Sequence, residues 1–208
     1  MQQIGSPDVL CLQELRIRAQ DSADIARLQA ALPGYRCHFS LARDARNVTF
    51  RGGRMYGVAT FVRGRWRAEV PIWDLEGRVV AVRKTGLAVV NIYAVNGTSK
   101  PYYNEQGEVS GDRHALKRRF QAQVVNLGYE LRREGSVILA GDWNVSRTAL
   151  DTYPRLRAEE PHARDCDQPL RLARRCSLSR TIPVRSATGR ISKGPTRAPG
   201  CLDINSTA

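Results

Sequence analysis

At 208 residues, with 42% hydrophobic and 7% aromatic side chains, the chain is long enough to bury the core of one α/β domain, and no stretch approaches the roughly 18 uninterrupted apolar residues of a membrane-spanning helix. Thirty-three Lys and Arg against 20 Asp and Glu leave a net charge of +13, a surplus that draws polyanions such as phosphate backbones, although much of it sits in the C-terminal stretch, where a basic tail alone would account for it. The 5 cysteines are odd in number and lack CxxC spacing, which speaks against a zinc site or a disulfide framework.

The opening Met1-Gln2-Gln3-Ile4-Gly5-Ser6-Pro7 has neither a basic nor an apolar leader region, so secretion is not expected. The reading is an intracellular protein, nuclear, with the mitochondrion as the alternative, and a monomer without membrane attachment. Asp8 to Glu14 is a short apolar run that reads as a strand buried on both faces, with Cys11 as plain core. Ile25, Leu28, Ala31 and Leu32 recur at helical spacing from Asp21 until Pro33-Gly34 stops the pattern. Tyr35 to Ser40 reads as a strand, and Gly52-Gly53 leads into another ending at Val62. Val79 to Arg83 and Leu87 to Val95 are β runs joined by a tight Lys84-Thr85-Gly86 turn. Asp112 to Arg133 is the longest helical pattern, with Phe120, Val124, Leu127 and Leu131 on one stripe. After Gly135, Val137 to Ala140 forms a buried strand that runs into Gly141-Asp142-Trp143-Asn144.

This order predicts two packed sheets with helices outside, over a core of residues 1–153. Beyond Tyr153 no Phe, Trp or Tyr recurs and neither β nor helical periodicity is sustained, Leu170 to Leu178 being at most a short helix. Residues 154–208 are expected to be irregular, as a disordered or out-of-frame tail.

Three strand ends carry chemistry. Glu14 closes an apolar strand, where a carboxylate must be solvated, paired or bound to metal. Asp142 and Asn144, two residues apart, fall on one side of a sheet end; the acid can take a proton from water, and the amide can orient it or hold a phosphate oxygen. Tyr93 and Asn96 sit where a third strand runs out, and a tyrosine hydroxyl can donate to a phosphoryl oxygen as charge builds. Each has an ordinary alternative: a solvated strand-end acid, a turn made of turn-forming residues, an aromatic in the core.

Pro7 to Leu15 resembles the glutamate motif of the endonuclease/exonuclease/phosphatase superfamily, and Tyr56-Gly57-Val58-Ala59-Thr60-Phe61 its following glycine strand. Asp74-Leu75-Glu76-Gly77-Arg78-Val79 closely resembles the Asp-x-Glu-Gly-Arg-Val segment of the exonuclease III and AP-endonuclease branch. Asn91-Ile92-Tyr93-Ala94-Val95-Asn96 is similar to that branch's Tyr-x-x-Asn motif, with Val95 in place of the usual proline, and Gly141 to Val145 to its Gly-Asp-x-Asn-Val motif. The resemblance implies a deoxyribonuclease I-like four-layer α/β/β/α sandwich, incomplete here. It implies Glu14 as ligand of Mg²⁺ or Mn²⁺, Tyr93 and Asn96 facing the scissile phosphate, Asp142 activating water and Asn144 holding Asp142 or the phosphate. Arg54, Arg78, Arg113, Lys117 and Arg118 are the candidate contacts to a DNA backbone, each with a solvated surface position as its alternative.

The family's initial strand ending in Asn, and its closing Ser-Asp-His motif, have no counterpart in the sequence. His162 is a poor substitute, and Cys201-Leu202-Asp203 echoes the final strand only faintly. The expected function is a metal-dependent DNA phosphodiesterase of base-excision repair. The alternatives are an RNA-directed or phosphomonoester-directed enzyme of the same fold, and an inactive, basic nucleic-acid-binding fragment.

Overall fold

Alternating apolar positions and one amphipathic helix assemble into two β layers backed by a helix. The computed structural model describes residues 6–44, 46–47 and 56–145. In chain order the elements are β1 (Val9–Leu12), α1 (Ser22–Ala30), β2 (Tyr35–Leu41), β3 (Gly57–Arg63), β4 (Arg67–Glu69), β5 (Val79–Lys84), β6 (Gly86–Tyr93), β7 (Pro101–Tyr103), β8 (Val109–Asp112), α2 (Arg113–Arg132) and β9 (Gly135–Asp142). One sheet has the order β1-β3-β2, all antiparallel; the other runs β4-β5-β6-β9, with β6 and β9 parallel. The short pair β7-β8 stands apart from both.

The faces of β6 show why the layers stack. Val89 and Tyr93 turn toward the other sheet and, together with Val80 and Val82 of the neighbouring β5, pack with Val58 and Val62 of β3 and with Trp66 beyond it. Ala88, Val90 and Ile92 point the opposite way, onto Phe120, Val124, Leu127 and Leu131 of α2. A period of two thus meets a period of 3.6 across one apolar layer. Asp112 caps α2 by accepting from the Ala115 N–H at 2.8 Å. Helix α1 buries no side chain and touches β2 from outside. This is the mixed α/β, deoxyribonuclease I-like plan that the motif order predicts.

Several details differ from the sequence reading. Strand β1 is half-buried along its length, and so is most of β9. Among the described residues each lies at the edge of its sheet with one neighbour, and the burial on both faces expected of β1 is only partial. Strand β4 and the β7-β8 pair were not anticipated; they are short and polar, with too few apolar residues to show a period. Residues 154–208, Arg54 and His162 lie outside the described residues. Among the described residues, no helix is long and apolar enough to cross a membrane.

Candidate active site

Strands β6 and β9 begin together, Gly86 opposite Gly135, and end together, Tyr93 opposite Asp142. That pairing brings two of the predicted strand-end groups side by side. The third arrives from the other sheet: Glu14 follows β1, and its Oε1 accepts a hydrogen bond from the Tyr93 hydroxyl at 2.6 Å. Burial, and next the bond to Glu14, push the Tyr93 phenol well above its ordinary value, and the Asp142 carboxylate adds to the shift. The phenol therefore keeps its proton.

The connection between the sheets rests on Asn91, a fully buried amide in an otherwise apolar strand. Its Nδ2 donates to the Ala59 carbonyl at 2.9 Å, the Thr60 hydroxyl at 3.1 Å and the Leu12 carbonyl at 3.2 Å. Its Oδ1 accepts from Gln13 Nε2 at 2.6 Å. Asn91 and Tyr93 share one face of β6, and Gln13 and Glu14 are consecutive, so the amide network sets where the carboxylate meets the phenol. Glu14 and Asn144 both hold left-handed backbone, with φ of 57° and 50°, a conformation unusual for a non-glycine residue and concentrated at functional sites.

Asp142 and Asn144 form a small turn: the Asn144 N–H donates to Asp142 Oδ1 at 2.8 Å, and Asn144 Nδ2 to the Ala94 carbonyl at 2.8 Å. The Ala94 N–H in turn donates to the Asp142 carbonyl at 2.7 Å. Gly141 is required here, because its φ is +132° and a side chain would collide with the Ile92 carbonyl. Asn96 lies two residues beyond Ala94, and its Oδ1 is buried without a donor among the described residues.

Three of the predicted backbone contacts, Arg78, Arg113 and Lys117, are buried. Arg78 is 2% exposed. Its Nε donates to Glu76 Oε2 at 2.6 Å and its Nη1 to the Tyr93 carbonyl at 3.1 Å, while its guanidinium lies over the Tyr56 ring at 4.1 Å. Arg113 grips the same carboxylate with two bonds of 2.8 and 2.9 Å. Burial works against the Glu76 charge, but Arg78 and then Arg113 outweigh it and hold the carboxyl below its ordinary range. Lys117 is fully buried, with its ammonium on the Asn144 carbonyl at 3.1 Å. These three cations are inside the protein, so no phosphate backbone reaches them. Arg118 is exposed, as a backbone contact must be.

The Asp74 to Val79 segment is a latch between the sheets. Asp74 Oδ2 accepts from the Ser40 hydroxyl and from the backbone N–H groups of Arg78 and Val79, all within 2.8 Å. Burial nevertheless raises its pKa above the ordinary carboxylate range. Gly77 has φ +73°, and a Cβ there would stand 2.6 Å from the Leu41–Ala42 backbone. Sequence reasoning missed the roles of Asn91, Gln13 and Glu76. The available signals were a lone amide in a valine-rich run and an acid two residues from an arginine.

Glu14 has a half-exposed carboxylate whose Oε2 lies 3.3 Å from the Arg16 guanidinium. Among the described residues, no cluster of three His, Cys, Asp or Glu side chains forms a closed metal cage. A half-exposed carboxylate at a strand end is the type of ligand that a hard cation such as Mg²⁺ takes beside its waters and substrate phosphate oxygens, although here the two oxygens of Glu14 face the Tyr93 hydroxyl and the Arg16 guanidinium.

Residues 1–200 match the sequence model of the Endonuclease/Exonuclease/phosphatase family. Among solved structures, the 3′-5′ exonuclease NExo from Neisseria meningitidis is 26% identical with a TM-score of 0.52, aligned over 72% of this chain and 52% of its own. An AP endonuclease from Archaeoglobus fulgidus shares the fold at 21% identity and a TM-score of 0.53, over 82% of this chain and 62% of its own. The chain thus spans between about half and three-fifths of the length of these two. No curated protein sequence matches it significantly.

Proposed function

Because the chain belongs to the endonuclease/exonuclease/phosphatase family, we propose that it is a Mg²⁺- or Mn²⁺-dependent phosphodiesterase acting on DNA, at abasic sites or 3′ ends in base-excision repair. The observation that carries this reading is the 2.6 Å bond from Tyr93 to Glu14, made where Asp142 stands beside Tyr93 in the parallel pair. It unites a proton donor, a cation ligand and a base at one sheet end. The likeness to a 3′-5′ exonuclease supports a nucleic acid as the substrate.

In the proposed reaction a water oxygen forms a bond to phosphorus and the P–O3′ bond breaks, leaving a 3′-hydroxyl. Asp142 has one oxygen occupied by the Asn144 N–H; the other would accept the proton of the attacking water. Asn144 keeps that carboxylate fixed, being tied to Ala94 by its side chain and to Lys117 by its carbonyl. Tyr93, held protonated by its surroundings, would turn its one hydroxyl hydrogen from Glu14 to a non-bridging oxygen as negative charge grows there. Asn96 would meet the substrate or its bound water through the buried Oδ1 that otherwise has no donor among the described residues. Glu14 would hold the cation, which when bound polarises the phosphoryl group and offsets its charge.

The test is nicking of a duplex carrying one abasic site by the full chain. Cleavage should require Mg²⁺ or Mn²⁺, stop with chelator, and fall by at least a hundredfold in Asp142→Asn. Metal-independent cleavage, or an unaffected Asp142→Asn protein, would sink the proposal. Parallel assays on RNA and inositol phosphates identify the substrate class, and salt-dependent binding without any cleavage would mark a nucleic-acid-binding protein instead.

A further inference from the structure

The opposite pole of the second sheet carries a basic groove with no part in the site just described. Its cavity of about 660 Å³ is lined by Arg36, Arg65, Arg67, Arg83 and Lys84, with Glu134 as the single acid. Arg36 and Arg65 continue into an adjoining hollow of about 330 Å³. The cations come from four separate places: β2, the turn after β3, β4 and the end of β5. The fold has therefore gathered them, since no two of these segments are obliged to meet by chain proximity alone except the turn and β4.

Two of the five cations are committed. Arg83 pairs with Glu134 at 3.1 Å and lies 3.8 Å from Glu69. The Lys84 ammonium lies 4.7 Å over the Trp66 ring. Trp66 is buried, its indole N–H donating to the Arg63 carbonyl at 3.1 Å, so it forms the floor of the groove and offers no face for a base to stack on. Arg36, Arg65 and Arg67 are exposed and make no ion pair among the described residues. Three like charges around one hollow repel each other, and an anion relieves that cost.

We propose that this groove is a second docking site for nucleic acid, one that holds the phosphodiester backbone and leaves the bases unread. Gly86 lines the groove while Tyr93 lies at the other end of the same strand, seven residues or about 23 Å away at ~3.3 Å per residue. The two sites cannot share one phosphate. Arginine's planar fork suits the paired oxygens of a phosphate better than a point charge does. The hollow shape favours a rod of repeating phosphates over a flat lipid surface. Nothing in this assignment depends on whether the Tyr93 end cleaves anything.

The experiment is the salt dependence of binding between the full chain and an intact duplex without an abasic site, compared with the Arg36→Gln, Arg65→Gln, Arg67→Gln triple variant. Each lost phosphate contact lowers the slope of log K against log salt by about 0.9, so the triple variant should lose between about 2 and 3 units of slope. The matching triple Lys variant should recover most of that slope, which separates lost charge from lost folding. An equal slope in the Gln variant overturns the proposal. So does preferential binding of the groove to anionic lipid vesicles, or to poly-glutamate, over the duplex.

Discussion

The Tyr93 hydroxyl donates a hydrogen bond to Glu14 across 2.6 Å, and this bond links the two sheets at the end where their strands stop. A donor so held cannot ionise in the working range. Burial is the first cause and the Glu14 carboxylate the second. Tyr93→Phe should therefore lower kcat/KM by about 100- to 1,000-fold, the usual effect of removing one donor to a developing oxyanion. The pH–rate profile of the parent should show no loss assignable to this phenol below pH 10. The sign for stability follows from the same shift. The folded state holds the proton more tightly than the unfolded chain, whose tyrosine titrates near 10.0. The contribution is complete below that pH and disappears as pH rises toward the higher folded value. Urea titrations between pH 8 and 11 check it.

Glu76 stands between two buried guanidinium groups. Removing its charge in Glu76→Gln leaves both cations without a counter-ion, and breaking a buried pair of this kind costs about 3–5 kcal/mol. The variant should unfold at correspondingly lower denaturant. Because the folded carboxyl titrates below its ordinary 4.5, its stabilisation is complete above that pH and is lost as pH falls through the folded value. Acid titration of the parent should show this loss, and the variant should not.

Asn91 satisfies four partners at once inside the protein. Asn91→Leu should cost on the order of 2–4 kcal/mol by leaving those groups unpaired. Activity should fall further than stability explains, because Gln13 loses its anchor beside Glu14. Measuring kcat at a temperature where the variant is fully folded separates the two effects.

Lys117 offers a direct contrast between an internal brace and a DNA contact. Lys117→Met removes the ammonium from the Asn144 carbonyl, so kcat should fall at least tenfold while the salt slope of DNA binding stays the same. A slope reduced by about 1 would restore the backbone-contact reading.

Removing divalent metal should leave the melting temperature within a few degrees of its loaded value while abolishing turnover. Glu14 sits at a half-exposed strand end, outside both core clusters. A calorimetric scan with and without chelator tests this.

The strand ends were legible because their signals are local. An apolar run stopped by Glu14, or by Gly141-Asp142-Trp143-Asn144, needs only neighbouring residues to be read. Partners far apart in sequence left no such trace. Glu76 and Arg113 are separated by 37 positions, and a basic residue opening a helix ordinarily faces water. Periodicity therefore set Arg113 and Lys117 on the surface, where the fold instead buries them. Asn91 opens the segment that carries the Tyr-x-x-Asn motif, but its work lies in reaching Leu12 and Ala59, contacts that only the stacking of the sheets creates. Strand β4 was missed for a different reason: three exposed residues carry no pattern, and pairing with β5 alone makes them a strand.

The parallel pair from Gly86–Gly135 to Tyr93–Asp142 runs for eight matched positions without a break. It acts as a ruler. Inserting a single residue into either strand would send every later side chain to the opposite pleat, turning the phenol or the carboxylate away from its companion. Adding two would keep the facing but displace the group by about 7 Å. Substitutions can accumulate along these strands, whereas changes of length at their interior would cost the chemistry outright.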